Sequence, residues 1–127
     1  MNRLLKLTSI IEAGTGLALI AAPSVFVWLL LGSEISGASV SIGRVAGIGL
    51  LSLGVACWPS PDASVANLPA LRAMLTYNPL VTIYLLSLGV DGERVGYLLW
   101  PAVVAHAVLT FLLGRAWITN RHRRSEA

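Results

Sequence analysis

Glu12 and His106 are ionisable side chains lying well inside long apolar runs, and either type could exchange a proton there or hold a polar ligand. A carboxylate one to two turns inside an apolar span costs on the order of 2–3 kcal/mol on insertion scales, so it normally faces protein or water. Glu12 shares a helical face with Thr8, Thr15 and Gly16 by three-and-four spacing. Two readings stand for it: a protonated or hydrogen-bonded structural carboxyl joining two helices, or a proton-exchanging or ligand-contacting group. His106, with Thr110 one turn on, reads as an interhelical hydrogen-bonder or as a ligand group. Asn78 precedes Pro79 and could satisfy carbonyls that the proline loosens. Counted from opposite membrane faces, Glu12, Asn78, Thr82, His106 and Thr110 fall in the middle or cytoplasmic half, which permits one polar cluster across spans one, three and four. Arg44 stands near the start of its own apolar run, where it can snorkel to an interface or bind an anionic group such as Glu34. Tyr77 and Tyr84 read as packing residues.

No set of catalytic residues accompanies these groups. There is no Gly-rich phosphate loop after a strand, no histidine pair at metal-binding spacing and no Cys-x-x-Cys. Nucleophilic catalysis needs a serine or cysteine beside a base, and nothing local supplies that pair. The expectation is a protein that is not an enzyme, with no catalytic residue, metal or cofactor. Cys57 is the single cysteine, which excludes an internal disulfide, and it reads as a small packing residue. His122 lies among the arginines of the tail, away from any intramembrane group.

The elements that would carry these residues are apolar runs of membrane length. Spans are predicted at about 7–31, 40–58, 71–88 and 95–118, followed by a basic tail over 119–127. The first begins after Arg3 and Lys6 and could pass for a secretory signal. Glu12 inside it and the apolar run VFVWLLLG beyond Pro23 predict a retained helix instead. Pro23 predicts a kink near Ala22. Pro59 to Asp62 stops the second span. The third is the weakest helix, since a residue before proline is pushed from helical geometry, although membrane helices tolerate proline when neighbours satisfy the freed carbonyls. Gly89 to Arg94 reads as a tight turn. Gly14, Ala18 and Ala22 in the first span, and Ser39, Gly43 and Gly47 in the second, form small-residue ridges that predict tight packing of the two.

Composition agrees with lipid as the solvent. Of 127 residues 56% are hydrophobic and 12% charged, about half the charge of a soluble domain, and the mean hydropathy is +0.77. The formal charge of +3 is concentrated near span ends rather than on a nucleic-acid-binding face, so nucleic acid is not expected as a partner. Putting both termini in the cytoplasm places Arg3, Lys6, Arg72, Arg115, Arg121, Arg123 and Arg124 inside and only Arg44 and Arg94 outside. That is the positive-inside bias. Trp28, Trp58, Trp100 and Trp117 fall near span ends, as an interfacial belt requires. The predicted fold is all-α, an antiparallel up-and-down bundle of four transmembrane helices.

The stretches EAGTGLALIAAP, GRVAGIGLLSLGVACW and LLWPAVVAHAVLTFLL resemble a broad group of small bacterial four-helix membrane proteins described as DoxX-like. The resemblance implies that fold and a bacterial inner-membrane address, and it transfers no catalytic residue. Three functions follow as expectations. The first is an accessory or scaffold subunit, working through helix contacts in a homo-oligomer or larger membrane complex. The second is a small transporter or binder of a proton-coupled or lipophilic ligand, using Glu12, Asn78 and His106. The third, drawn from the resemblance and His106, is a quinone-linked redox partner.

Overall fold

The computed structural model describes residues 2–60 and 67–125, with side chains described as far as Arg121. The readings of Pro61 and Asp62 and of the end of the tail, including His122, Arg123 and Arg124, lie outside the described side chains. Five helices and no strand occur among the described residues: α1 Asn2–Ala21, α2 Pro23–Leu31, α3 Ala38–Ala56, α4 Leu68–Asp91 and α5 Leu99–Ser125. Four helical stretches are long and apolar enough to cross a membrane: Asn2–Ala21, Ala38–Ala56, Leu68–Asp91 and Leu99–Arg121.

Pro23 divides the first apolar run. Ala22 leaves helical geometry at φ −141°, ψ 64°, and Pro23 opens α2 at a position where its missing N–H is no loss. Backbone hydrogen bonds continue on either side, from Ala22 to Ala18 at 2.9 Å and from Phe26 to Ala22 at 3.0 Å, so the chain bends without opening a loop. Pro79, by contrast, lies inside an unbroken α4 that extends past both ends of the expected 71–88 stretch. Side chains brace it: Asn78 Nδ2 donates to the Met74 carbonyl at 3.0 Å, and Thr82 Oγ1 donates to the Asn78 carbonyl at 2.8 Å.

The fourth run also differs from expectation at its start. Residues 95–98 are not helical but lie against the end of α2, where Gly96 N–H donates to the Leu30 carbonyl at 3.1 Å and Leu98 N–H to the Leu29 carbonyl at 2.8 Å. The last carbonyls of a helix lack partners within it, and this segment supplies two of them. A Cβ at position 96 would run into the Leu29 carbonyl, so glycine is required there.

The largest helix contacts are α1 with α3 and α4 with α5, while α2 touches α1, α3 and α5. The first pair is joined backbone to backbone. A Cβ on Gly54 would lie 2.7 Å from both Ser9 O and Ala13 N, and one on Gly47 would lie 2.7 Å from Gly16 O. Two apolar clusters hold the rest together. Leu5, Cys57, Leu71, Met74, Leu109 and Leu113 form one, and Leu85, Leu99 and Val103 form the other with Leu30, Leu31 and Val81 packed on it.

Apolar side chains also cover the outside, and several polar ones are buried beside the apolar clusters. Ile42, Val45, Ile48, Ile83, Val104 and Phe111 are exposed, whereas Thr8, Ser9, Glu12, Asn67 and Asn78 are buried. The exposed hydroxyls of Ser52, Thr76 and Thr119 turn back onto carbonyls four residues earlier in their own helices. Surroundings that offer no hydrogen bonds favour that arrangement.

Candidate functional site: a polar layer inside the bundle

Between the two apolar clusters each helix facing the interior changes from apolar to polar for about one turn. On α4 the change falls between Met74 and Val81, and on α5 between Val103 and Leu109. The residues in that gap are Tyr77, Asn78 and His106; Glu12 of α1 meets Tyr77, and Ser9 is buried one turn earlier on α1.

The α4–α5 half of this layer is hydrogen-bonded. His106 Nδ1 and Asn78 Oδ1 are 2.8 Å apart. Because Asn78 Nδ2 is committed to the Met74 carbonyl, its Oδ1 is the acceptor, and His106 Nδ1–H donates to it. The ring's Nε2 is then the nitrogen open to a hydrogen-bond donor. Tyr77 stacks edge-on against the imidazole, with ring centroids 5.9 Å apart at 74°. Thr110 Oγ1 donates to the His106 carbonyl at 2.7 Å, so its hydroxyl is spent on its own helix one turn from the layer.

The α1 half is not. Glu12 is 1% exposed, and neither carboxyl oxygen has a hydrogen-bond partner among the described residues; Ser9, also 1% exposed and one turn earlier, has a hydroxyl in the same condition. Tyr77 directs its hydroxyl at the Glu12 carboxyl and interacts with it, short of full hydrogen-bond geometry. Thr8, beside them, is satisfied by the Leu4 and Leu5 carbonyls at 3.2 and 3.0 Å. Tyr77 therefore links the two halves, touching Glu12 at its hydroxyl and His106 at its ring. Chemically the layer offers a carboxyl, a phenol, an imidazole nitrogen and a hydroxyl, enclosed above and below by leucine, methionine and valine.

Other residues with expected roles stand elsewhere. Arg44 is exposed on α3, outside the layer. Cys57 is buried in the first apolar cluster. Gly47 lies in the α1–α3 contact, and a Cβ on Gly43 would meet the Pro23 ring. Gly14 has open space around it, and Ala22 is exposed at the α1–α2 bend. The α1 backbone that α3 approaches is that of Ser9, Ala13 and Gly16, with Ala18 half-buried to one side. Among the described residues no three His, Cys, Asp or Glu side chains group as a metal site.

Sequence reasoning left Ser9 unremarked and gave Tyr77 only a packing role. Ser9 is three residues before Glu12 and shares its face, and Tyr77 adjoins Asn78; both spacings carry a signal. No family model matches this chain, and no curated protein or solved structure does either.

Proposed function

We propose that this is a multi-pass membrane protein whose interior polar layer binds a proton or a small lipophilic ligand carrying a hydrogen-bond donor, with Glu12 as acceptor. The carrying observation is the Glu12 carboxyl, sealed from the surface, with the Tyr77 hydroxyl beside it but neither oxygen in a full hydrogen bond among the described residues. A carboxyl kept to join helices would be hydrogen-bonded across the interface, because an unsatisfied buried polar group costs about 1–3 kcal/mol. A group kept for binding carries that cost until its ligand arrives. Tyr77 and His106 Nε2 would orient the ligand's polar end, and the flanking apolar clusters would shelter the rest.

Reconstitution in proteoliposomes tests this. A pH-dependent flux, or a lipophilic molecule that co-purifies, is expected with the wild-type chain and should be lost in Glu12→Gln. Retention of both by the variant would remove Glu12 from the function.

The address we propose is a bacterial inner membrane, with an up-and-down arrangement and both termini cytoplasmic. The DoxX-like resemblance and the basic residues toward one side support it. The up-and-down part is also supported by the hydrogen bond from Asn67 Nδ2 to Asn2 Oδ1, 3.0 Å, which brings the starts of α1 and α4 together.

A second reading, an accessory or scaffold subunit, draws support from Gly14 and Gly49. A Cβ placed on either would have nothing within 4 Å, which leaves room for a helix of another chain. Under it Gly14→Leu with Gly49→Leu would abolish cross-linked oligomers while Glu12→Gln would not. The quinone-linked reading requires a bound quinone or chromophore in gently extracted protein.

A further inference from the structure

At the end of the molecule where α1 begins, a groove of about 450 Å³ separates α1 from α5. Leu4, Leu7, Leu112 and Ala116 line it, and Arg3 and Arg115 stand on its two sides. Its size falls within the range of small-molecule sites. Among the described residues neither guanidinium pairs with a carboxylate: Arg115 lies 5.9 Å over the Phe111 ring on its own helix, and Arg3 has no partner. Both cations are exposed, and the described acids are distant. Glu12 is buried in the interior, Glu34 lies beyond α2 beside Val25 and Trp28, and Asp91 and Glu93 lie at the far end of α4, whose 24 residues extend roughly 36 Å from Asn67.

We propose that this groove holds one anionic phospholipid, its phosphate between Arg3 and Arg115 and an acyl chain along the leucine floor. The inference rests on the bilayer reading above but not on the polar layer. Charge selects the occupant. Two cations lining one groove with no described acid between them favour a headgroup of net negative charge, guanidinium binds phosphate oxygens through paired N–H groups, and the apolar floor fits a hydrocarbon tail better than a free anion. Arg3 comes from α1 of the first helix pair and Arg115 from α5 of the second, so the bound lipid would bridge the pairs where their direct contact is small.

Native mass spectrometry of the full chain in mild detergent, titrated with phosphatidylglycerol or phosphatidylcholine of identical chains, tests the site. One phosphatidylglycerol should bind with roughly thirtyfold preference, as two interfacial cations at about 1 kcal/mol each would give. Arg3→Gln with Arg115→Gln should bring the two lipids to parity. Leu112→Trp, which fills the floor and keeps the charge, should release the lipid. Lys6→Gln with Arg121→Gln removes the same charge from exposed positions outside the groove and should leave the preference intact. Equal binding of the two lipids by wild type, equal loss from the Lys6 and Arg121 pair, or displacement by inorganic phosphate would each overturn the proposal. Flotation with phosphatidylcholine vesicles separates the two claims, since a chain that floats but lacks the preference refutes the lipid site alone.

Discussion

Glu12 and Asn78 are equally buried, but Asn78 uses both ends of its amide and Glu12 makes a full hydrogen bond with neither oxygen among the described residues. Substitution should therefore move stability in opposite directions. Glu12→Leu removes an unsatisfied group and fills the same space, so unfolding in mixed micelles should show a gain of about 1–3 kcal/mol alongside lost binding. Asn78→Leu strands the His106 Nδ1–H and should cost about 1–3 kcal/mol. A double-mutant cycle of Asn78→Leu with His106→Phe should return a coupling of roughly 0.6–1.7 kcal/mol, the range for interhelical hydrogen bonds in membrane proteins. A coupling near zero would remove that bond from the layer. Glu12, Asn78 and His106 stand out in the sequence because polar types are rare in apolar runs. Tyr77 does not, because an aromatic ring in such a run has an adequate explanation in packing, and only helix rotation decides which way its hydroxyl points.

At the scale of elements, the α1–α3 crossing depends on the absence of side chains at Gly16, Gly47 and Gly54. Gly54→Leu must push α3 off the Ser9 and Ala13 backbone, and a loss of at least about 2–3 kcal/mol is expected, measured by the same unfolding assay. Gly14→Leu, with open space around it, should leave monomer stability within about 0.5 kcal/mol. If Gly14→Leu proved the more damaging in a monomer, the crossing would be misplaced. Helix existence and the proline bend were readable from the length of the apolar runs and from Pro23. Which glycines meet was not, since Gly14 and Gly16 both satisfy small-residue spacing and differ by about 200° around the helix. The 95–98 segment escaped notice for a related reason. Its apolar residues suit a helix, and only the unpaired carbonyls at the end of α2 make it a clasp.

Over the whole molecule, large apolar side chains are exposed on every long helix, while Glu12 and Asn78 are buried between apolar clusters. Such a surface predicts that the purified chain will aggregate on removal of detergent, which light scattering would register; a monodisperse monomer in plain buffer would contradict it. Reporter fusions should give both ends the same cytoplasmic signal, and opposite signals would refute the proposed topology. The helix pairing has one more consequence. Each large contact joins helices from a single stretch of chain, α1 with α3 within residues 2–56 and α4 with α5 within 68–125. The first hairpin can therefore close while the ribosome is still making the second, and Glu12 must wait, facing whatever borders the nascent pair, until Tyr77 arrives. Cutting the gene between codons 60 and 67 and co-expressing the fragments should consequently regenerate an intact molecule.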